Sequence, residues 1–280
     1  MRVFQVDAFS AAPFRGNPAG VCLLDGPVPD GWMQDVAAEM NLSETAFHLE
    51  RDGVRSLRWF TPVAEVELCG HATLATAHVL FESGARETAL AFSTASGILV
   101  ARRDGAGVEL DFPSLTCEPV PAPDGLADAL GAEPRAVSRV RRDLLVELSD
   151  EREVRSLRPD PGALRLLDAR GVIVTAASAP PDQPPDGRPV GADAFASPGR
   201  AAPDFVSRFF APGVGIDEDP VTGAAHCALA PYWAARLGRT RLLGEQASRR
   251  GGFVRVRLSG GRVLLGGEAV TVLSGELHVQ

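Results

Sequence analysis

Apolar positions along the chain follow two different rhythms, and the rhythm separates the elements. The first nine residues are rich in apolar, β-branched and aromatic side chains and read as a strand. The turn-forming run Arg15-Gly16-Asn17-Pro18-Ala19-Gly20 leads into a second strand over 21–24. From Asp30, expected as a cap, apolar side chains recur at helical spacing at Trp32, Met33, Val36, Ala37 and Met40, and Asn41 is the expected stop. Strands follow over 45–49 and 57–60.

The stretch 71–81 has no polar face, since small or apolar residues surround almost every position. A helix of that composition is buried on all sides. Strands are expected over 88–93, 97–103 and 107–112, and in the second half around Val137, over 144–148 and over 172–174. Residues 222–237 read as a second all-round apolar helix, with a kink or boundary expected at Pro231. Glycine-separated strands over 253–258, 262–265 and 269–273 end the sequence. The segment 176–203, rich in proline, alanine and aspartate, is expected to be a flexible loop, an insertion rather than a lid.

One buried helix wrapped by short strands, occurring twice, suggests an α+β protein of two similar domains, each a β-barrel-like sheet around a central helix. The 280 residues suit that division. The expected domains are 1–117 and 118–280, divided near Pro113 and Pro119.

Composition narrows the chemistry. All 28 basic residues are arginine, so no lysine can form a Schiff base with pyridoxal phosphate or a carbonyl substrate. The net charge of −8 and the scattered arginine pairs speak against nucleic-acid binding. No apolar run reaches the length of a membrane span, and the N-terminus lacks a signal-peptide core. Cys22, Cys69, Cys117 and Cys227 form no C-x-x-C pair and no disulfide framework, so a cytoplasmic location is expected. Phosphate-binding loops, serine-hydrolase elbows and zinc-protease helices are missing, and His71 and His78 have no evident third metal ligand.

Three segments could carry chemistry. Glu67-Leu68-Cys69-Gly70-His71-Ala72-Thr73 sets a histidine at a helix start, where backbone N–H groups and the helix dipole favour an anion. Asp217-Glu218-Asp219-Pro220-Val221-Thr222-Gly223 places three acids before the second helix. Capping and dipole complementation would explain one of them, but Pro220 holds Asp219 extended and so able to be aimed. In Asn41-Leu42-Ser43-Glu44-Thr45-Ala46-Phe47, a carboxylate between a helix end and an apolar strand would be partly desolvated and raised in pKa, which suits proton transfer in both directions. Taken singly, each has a bland alternative: a packing histidine, capping acids, a surface glutamate.

Together, and joined by Val6-Asp7-Ala8-Phe9, the turn Gly16-Asn17-Pro18-Ala19-Gly20-Val21 and the closing Gly266-Gly267-Glu268-Ala269-Val270, these segments resemble the PhzF-like (phenazine biosynthesis) family in order and spacing, from residue 3 nearly to the C-terminus. The resemblance implies the diaminopimelate-epimerase-like fold, with an active site between the two domains and the last strand crossing back to the first. It implies an isomerase that uses neither cofactor nor metal, works on a small carboxylate and forms a homodimer. It also implies roles: Glu44 as catalytic acid/base, His71 and Asp219 as its catalytic partners, and Gly70, Ala72, Thr222, Gly223 and Ala224 as substrate-holding main chain, with Asn17 in the family's Gly-Asn-Pro turn.

Three departures stand out: Ala224 replaces a serine common in the family, Cys69 places a thiol before Gly70, and the 176–203 segment is long. The first two argue against phenazine synthesis itself. Two rival readings remain open at this point. One is a thiol-based amino-acid racemase using Cys69, with Asp219 or the deeper Cys227 as second base. The other is a protein that binds a small carboxylate without turning it over.

Overall fold

The computed structural model describes residues 1–178 and 202–278. Most of the stretch expected as a loop, 179–201, lies outside these residues. At its start, Ala176 and Ala177 continue a strand.

The chain divides into two units. The first comprises Met1–Asp111 together with Gly266 onward, and the second Phe112–Leu265. The division between Asp111 and Phe112 falls within a strand that ends at Pro113.

In the first unit the order is β1 (Arg2–Ala8), β2 (Asn17–Leu23), α1 (Asp30–Met40), β3 (Glu44–Arg51), β4 (Val54–Phe60), β5 (Glu65–Val66), α2 (Gly70–Glu82), β6 (Ala89–Thr94), β7 (Gly97–Asp104) and β8 (Gly107–Pro113). The second contains β9 (Glu118–Pro119), α3 (Leu126–Leu130), β10 (Ala136–Val140), β11 (Asp143–Glu147), α4 (Glu151–Ser156), α5 (Pro161–Leu164), β12 (Val172–Ala177), β13 (Phe205–Ala211), β14 (Ile216–Asp219), α6 (Gly223–Leu237), β15 (Arg241–Gln246), β16 (Gly252–Ser259) and β17 (Arg262–Gly267). Strand β18 (Ala269–Glu276) pairs antiparallel with β1, inside the first unit.

The two units repeat one topology. In the first, β1 and β2 are antiparallel, β2 and β3 parallel, β3 and β4 antiparallel, β4 and β6 parallel, and β6 and β7 antiparallel. In the second, β10, β11, β12, β13, β15 and β16 pair in the same alternation. Each unit then inserts a short strand and its long helix at the same point: β5 and α2 after β4, β14 and α6 after β13.

These helices are the cores of their units. His71 to Ala77 and Val79 of α2 are all buried, as are most positions of α6 from Gly223 to Ala234. Small side chains allow strands to approach from several directions. Thus Gly244 lies so near α6 that a Cβ there would come 3.1 Å from His226 Nε2. Pro231 neither ends nor breaks α6, which runs on to Leu237. Burial of the helix on several sides offsets the lost backbone hydrogen bond.

The periodicity also placed some ends differently. Asp30 is the first residue of α1 rather than its cap, a position held by Pro29. Strands β13 and β15 and the short helices α3 to α5 are further elements that the apolar rhythm did not reveal.

Candidate active site

In the first unit, α1 ends where the pattern placed its stop. Asn41 adopts a left-handed conformation (φ 48°) and its N–H bonds the Ala37 carbonyl. The chain then turns into β3, whose first residue is Glu44. Parallel pairing of β3 with β2 sets Glu44 opposite Ala19, which brings the Ser43–Glu44 end of the strand beside Asn17. Close approach of the two strands uses Gly20, where a Cβ would lie 2.8 Å from Thr45 Oγ1. The buried Asp7 carboxylate accepts the Phe14 N–H at 2.6 Å and so holds the loop before Asn17.

Cys69, in extended conformation, is the N-cap of α2 but supplies no side-chain cap bond. Thr73 closes the turn instead, its hydroxyl donating to the Cys69 carbonyl at 2.6 Å. The N–H groups of Gly70, His71 and Ala72 precede the first intrahelical donor, and no acid stands in this helix's first turn. The end of α2 therefore keeps the partial positive charge that attracts an anion.

Three side chains meet around His71. Nε2 lies 3.2 Å from Glu44 Oε2, although the geometry is not that of a hydrogen bond. Nδ1 lies 3.4 Å from Asn17 Nδ2 and 3.5 Å from Cys69 Sγ. The Ser43 hydroxyl donates to Asn17 Oδ1 at 3.1 Å. His71 is 6% exposed, and burial pushes its pKa down to about 4, so at neutral pH the ring is uncharged.

Donor atoms of Glu44, Cys69 and His71 lie within 4.8 Å of one another, a carboxylate, thiol and imidazole set of the kind that can hold zinc. The neighbours of His71 in this set are Glu44 and Cys69, not the His78 that the sequence spacing paired with it. His78 belongs elsewhere, 3.2 Å from Glu82.

In the second unit the three acids before α6 have separate partners. Asp217, largely exposed, is 3.6 Å from Arg165. Glu218 takes a two-pronged pair from Arg208, at 2.7 and 3.0 Å. Asp219 ends β14, and its Oδ2 accepts the Thr222 hydroxyl at 2.5 Å. The N-cap position belongs to Thr222, and the first turn of α6 is free of acids.

The turn from Asp219 to Thr222 is clamped from β15. Gln246, fully buried, accepts the Thr222 N–H at 2.8 Å and donates to the Asp219 carbonyl at 2.8 Å and to Thr222 Oγ1 at 3.1 Å. Ser248 donates to the Pro220 carbonyl at 2.8 Å. The Thr222 N–H, a substrate-holding group in the motif reading, is therefore committed within the protein. Gly223 and Ala224 begin the helix beyond it.

Because the units repeat, the two helix starts can be compared position by position. Cys69 corresponds to Thr222 and Gly70 to Gly223 as N-cap and first helical residue. Four residues past each cap, Thr73 and His226 make the same bond, His226 Nδ1 lying 2.9 Å from the Thr222 carbonyl. The chemistry is not repeated. Glu44 begins β3, whereas Val172 begins the equivalent β12. Asp219 precedes α6 by the same interval at which Val66 precedes α2.

Ser43 lies inside the Glu44 motif without an assigned role, and Gln246 and Ser248 lie in no motif. Gln246 ends β15 and Ser43 and Ser248 lie just outside strands, so no local pattern marks them. Cys227 is buried in α6 and its thiol is pushed up to about 12, too deep and too basic for the role of second thiol.

A carboxylate and an imidazole thus stand together at one helix start of a duplicated sheet-around-helix fold. The fold is shared by a predicted epimerase from Pseudomonas aeruginosa, with a TM-score of 0.69 over 100% of this chain and 99% of that one at 22% identity.

The chain belongs to the phenazine biosynthesis-like (PhzC-PhzF) protein family, whose model matches residues 6–275. It is 47% identical over 279 residues to an uncharacterized isomerase of Halalkalibacterium halodurans, covering 98% of this chain and 97% of that protein. The crystal structure of a PhzF-family phenazine biosynthesis protein from Enterococcus faecalis superposes with a TM-score of 0.89 at 40% identity, covering 99% of each chain. The chain is an isomerase of this family.

Proposed function

We propose that the protein moves a proton between two positions of a small carboxylate substrate, with Glu44 as the group that removes and returns it. The observation that carries this reading is the placement of Glu44 Oε2 3.2 Å from a buried, neutral His71 at an acid-free helix start. In the proposed reaction the substrate carboxylate accepts from the N–H groups at the start of α2. Glu44 then takes a proton from an activated carbon, and His71 stabilises charge developing on a substrate oxygen. A catalytic role for Asp219 rests on the family motif alone. Acid/base transfer of this kind contributes roughly 10²–10⁴-fold, and positioning supplies the remainder.

What favours this over the thiol racemase is the comparison of the two helix starts. By the repeat a second thiol would stand where this chain has Thr222, which leaves a Cys69 scheme only Asp219 as its second base. We further propose a homodimer working in the cytoplasm. The family resemblance supports the dimer. For the location, no disulfide links the cysteines, and no helix among the described residues is long and apolar enough to cross a membrane.

The test is deuterium incorporation. The protein is incubated in D₂O with amino acids, hydroxy acids and dihydroaromatic acids and followed by NMR, with Glu44→Gln in parallel. Incorporation or rearrangement that depends on Glu44 supports the reading. Incorporation that survives Glu44→Gln and vanishes in Cys69→Ala would replace it with the thiol scheme.

A further inference from the structure

His71 Nε2 is buried and makes no hydrogen bond, beside a carboxylate that it nearly reaches. A buried polar atom left open in this way requires a physical explanation. Its identity as donor or acceptor depends on where the ring carries its single proton, and the neighbours of the other nitrogen fix that.

Asn17 is fully buried and bonded at both ends of its amide. Its Oδ1 accepts from the Ser43 hydroxyl at 3.1 Å, and its Nδ2 faces His71 Nδ1 at 3.4 Å. An amide nitrogen only donates, so Nδ1 must accept. The Cys69 thiol, 3.5 Å from the same nitrogen, can donate to it as well. The ring's proton is therefore left to Nε2.

We infer that Asn17, held by Ser43, is a positioning residue that fixes His71 in its Nε2–H form, so that an N–H is presented beside Glu44 to an oxygen of the substrate. This inference rests on the proposed roles of Glu44 and His71, and it explains why a buried Nε2 stands open in the resting site. A reacting oxygen would satisfy it, and the hydrogen bond would strengthen as negative charge develops there. With the proton on Nδ1 instead, a bare nitrogen lone pair would face both Glu44 and that oxygen and repel them.

The second unit supplies an internal reference. His226 Nδ1 lies 2.9 Å from the Thr222 carbonyl, which only accepts, so His226 carries its proton on Nδ1. The two buried histidines at equivalent helix starts are expected in opposite forms.

Nitrogen-15 NMR of histidine-labelled protein reads this directly, without substrate. The five histidines are assigned by single substitution. In the wild-type protein His71 is expected to have a protonated Nε2 and a bare Nδ1, and His226 the reverse. A wild-type His71 with its proton on Nδ1 would overturn the inference at once. In Asn17→Asp an acceptor replaces the donor, and Nδ1 is expected to gain a proton, as the neutral Nδ1–H form or as imidazolium. In Ser43→Ala the amide loses its anchor, and a mixture of the two ring forms is expected.

An unchanged His226 signal shows that each variant is folded. A folded Asn17→Asp in which Nδ1 stays bare refutes the assignment to Asn17. Should that variant not fold, Ser43→Ala decides, and an unmixed Nε2–H form there refutes the relay. Loss of Glu44-dependent exchange with an unaltered ring form would count against the proposed reaction and leave this inference standing.

Discussion

His71 Nε2 stands 3.2 Å from Glu44 Oε2, a pairing made by the start of a helix and the first residue of a distant strand. Removing the carboxylate while keeping its shape isolates its role. Glu44→Gln is expected to lower proton exchange on substrate by roughly 10²–10⁴-fold, with the melting temperature nearly unchanged. Isotope incorporation and thermal melting measure the two effects. Full activity in this variant would remove Glu44 from the mechanism.

The Gln246 clamp should matter for stability. Gln246→Leu leaves the Thr222 N–H and the Asp219 carbonyl without the side chain that now bonds them. Each buried group left unsatisfied costs about 1–3 kcal/mol, so a loss of about 2–6 kcal/mol is expected in urea denaturation. An unaltered midpoint would mean that water or a shifted turn replaces the clamp.

The Arg208–Glu218 pair offers a double-variant test. Arg208 also donates to the Val154 and Leu157 carbonyls at 3.3 and 2.9 Å. Breaking a fully buried pair costs about 3–5 kcal/mol, and the partial exposure of Glu218 lowers this to about 1–3 kcal/mol for Arg208→Met. Adding Glu218→Leu is expected to restore part of the loss. A double variant no more stable than the single one would assign the cost to the two carbonyls instead.

Acid should weaken the fold before most carboxylates titrate. Burial lowers His71 and His226 from 6.5 to about 4. Between those values the unfolded chain binds more protons than the folded one, so stability falls as pH falls through this window. Their contribution is complete above about pH 6.5 and is lost progressively down to about pH 4. Urea midpoints measured across that range are expected to decline, less steeply in His226→Asn. A flat profile would show that these rings are not buried in neutral form.

The exposed surface should tolerate thiol reagents better than the cysteine count suggests. Burial pushes Cys22 and Cys227 up to about 12 and Cys117 to about 11. At neutral pH these three are expected to resist alkylation in the folded protein, as mass spectrometry would show. Rapid modification of Cys227 would reveal that α6 opens locally.

Much of this architecture was legible in the residues. The apolar run 71–81 announced a helix buried on every side, and α2 covers Gly70–Glu82. Asn41 announced the stop of α1, because a left-handed residue ends a helix cheaply only where the side chain tolerates it. Glu44, His71 and Asp219 stood out because each carries chemistry at the edge of an apolar element. Local pattern and motif order are properties of neighbouring residues, so the sequence displays them.

Pairing between distant residues is not local, and only the tertiary structure decided it. The parallel register of Ala19 with Glu44 joins Ser43 to Asn17, and the packing of α2 on those strands joins both to His71 and Cys69. In the second unit β15 brings Gln246 to the Asp219–Thr222 turn, taking up a backbone N–H that the motif alone left open for substrate. Which strand lies beside which depends on burial summed over the whole sheet. Which nitrogen of a histidine holds its proton depends in turn on what that sheet sets against it.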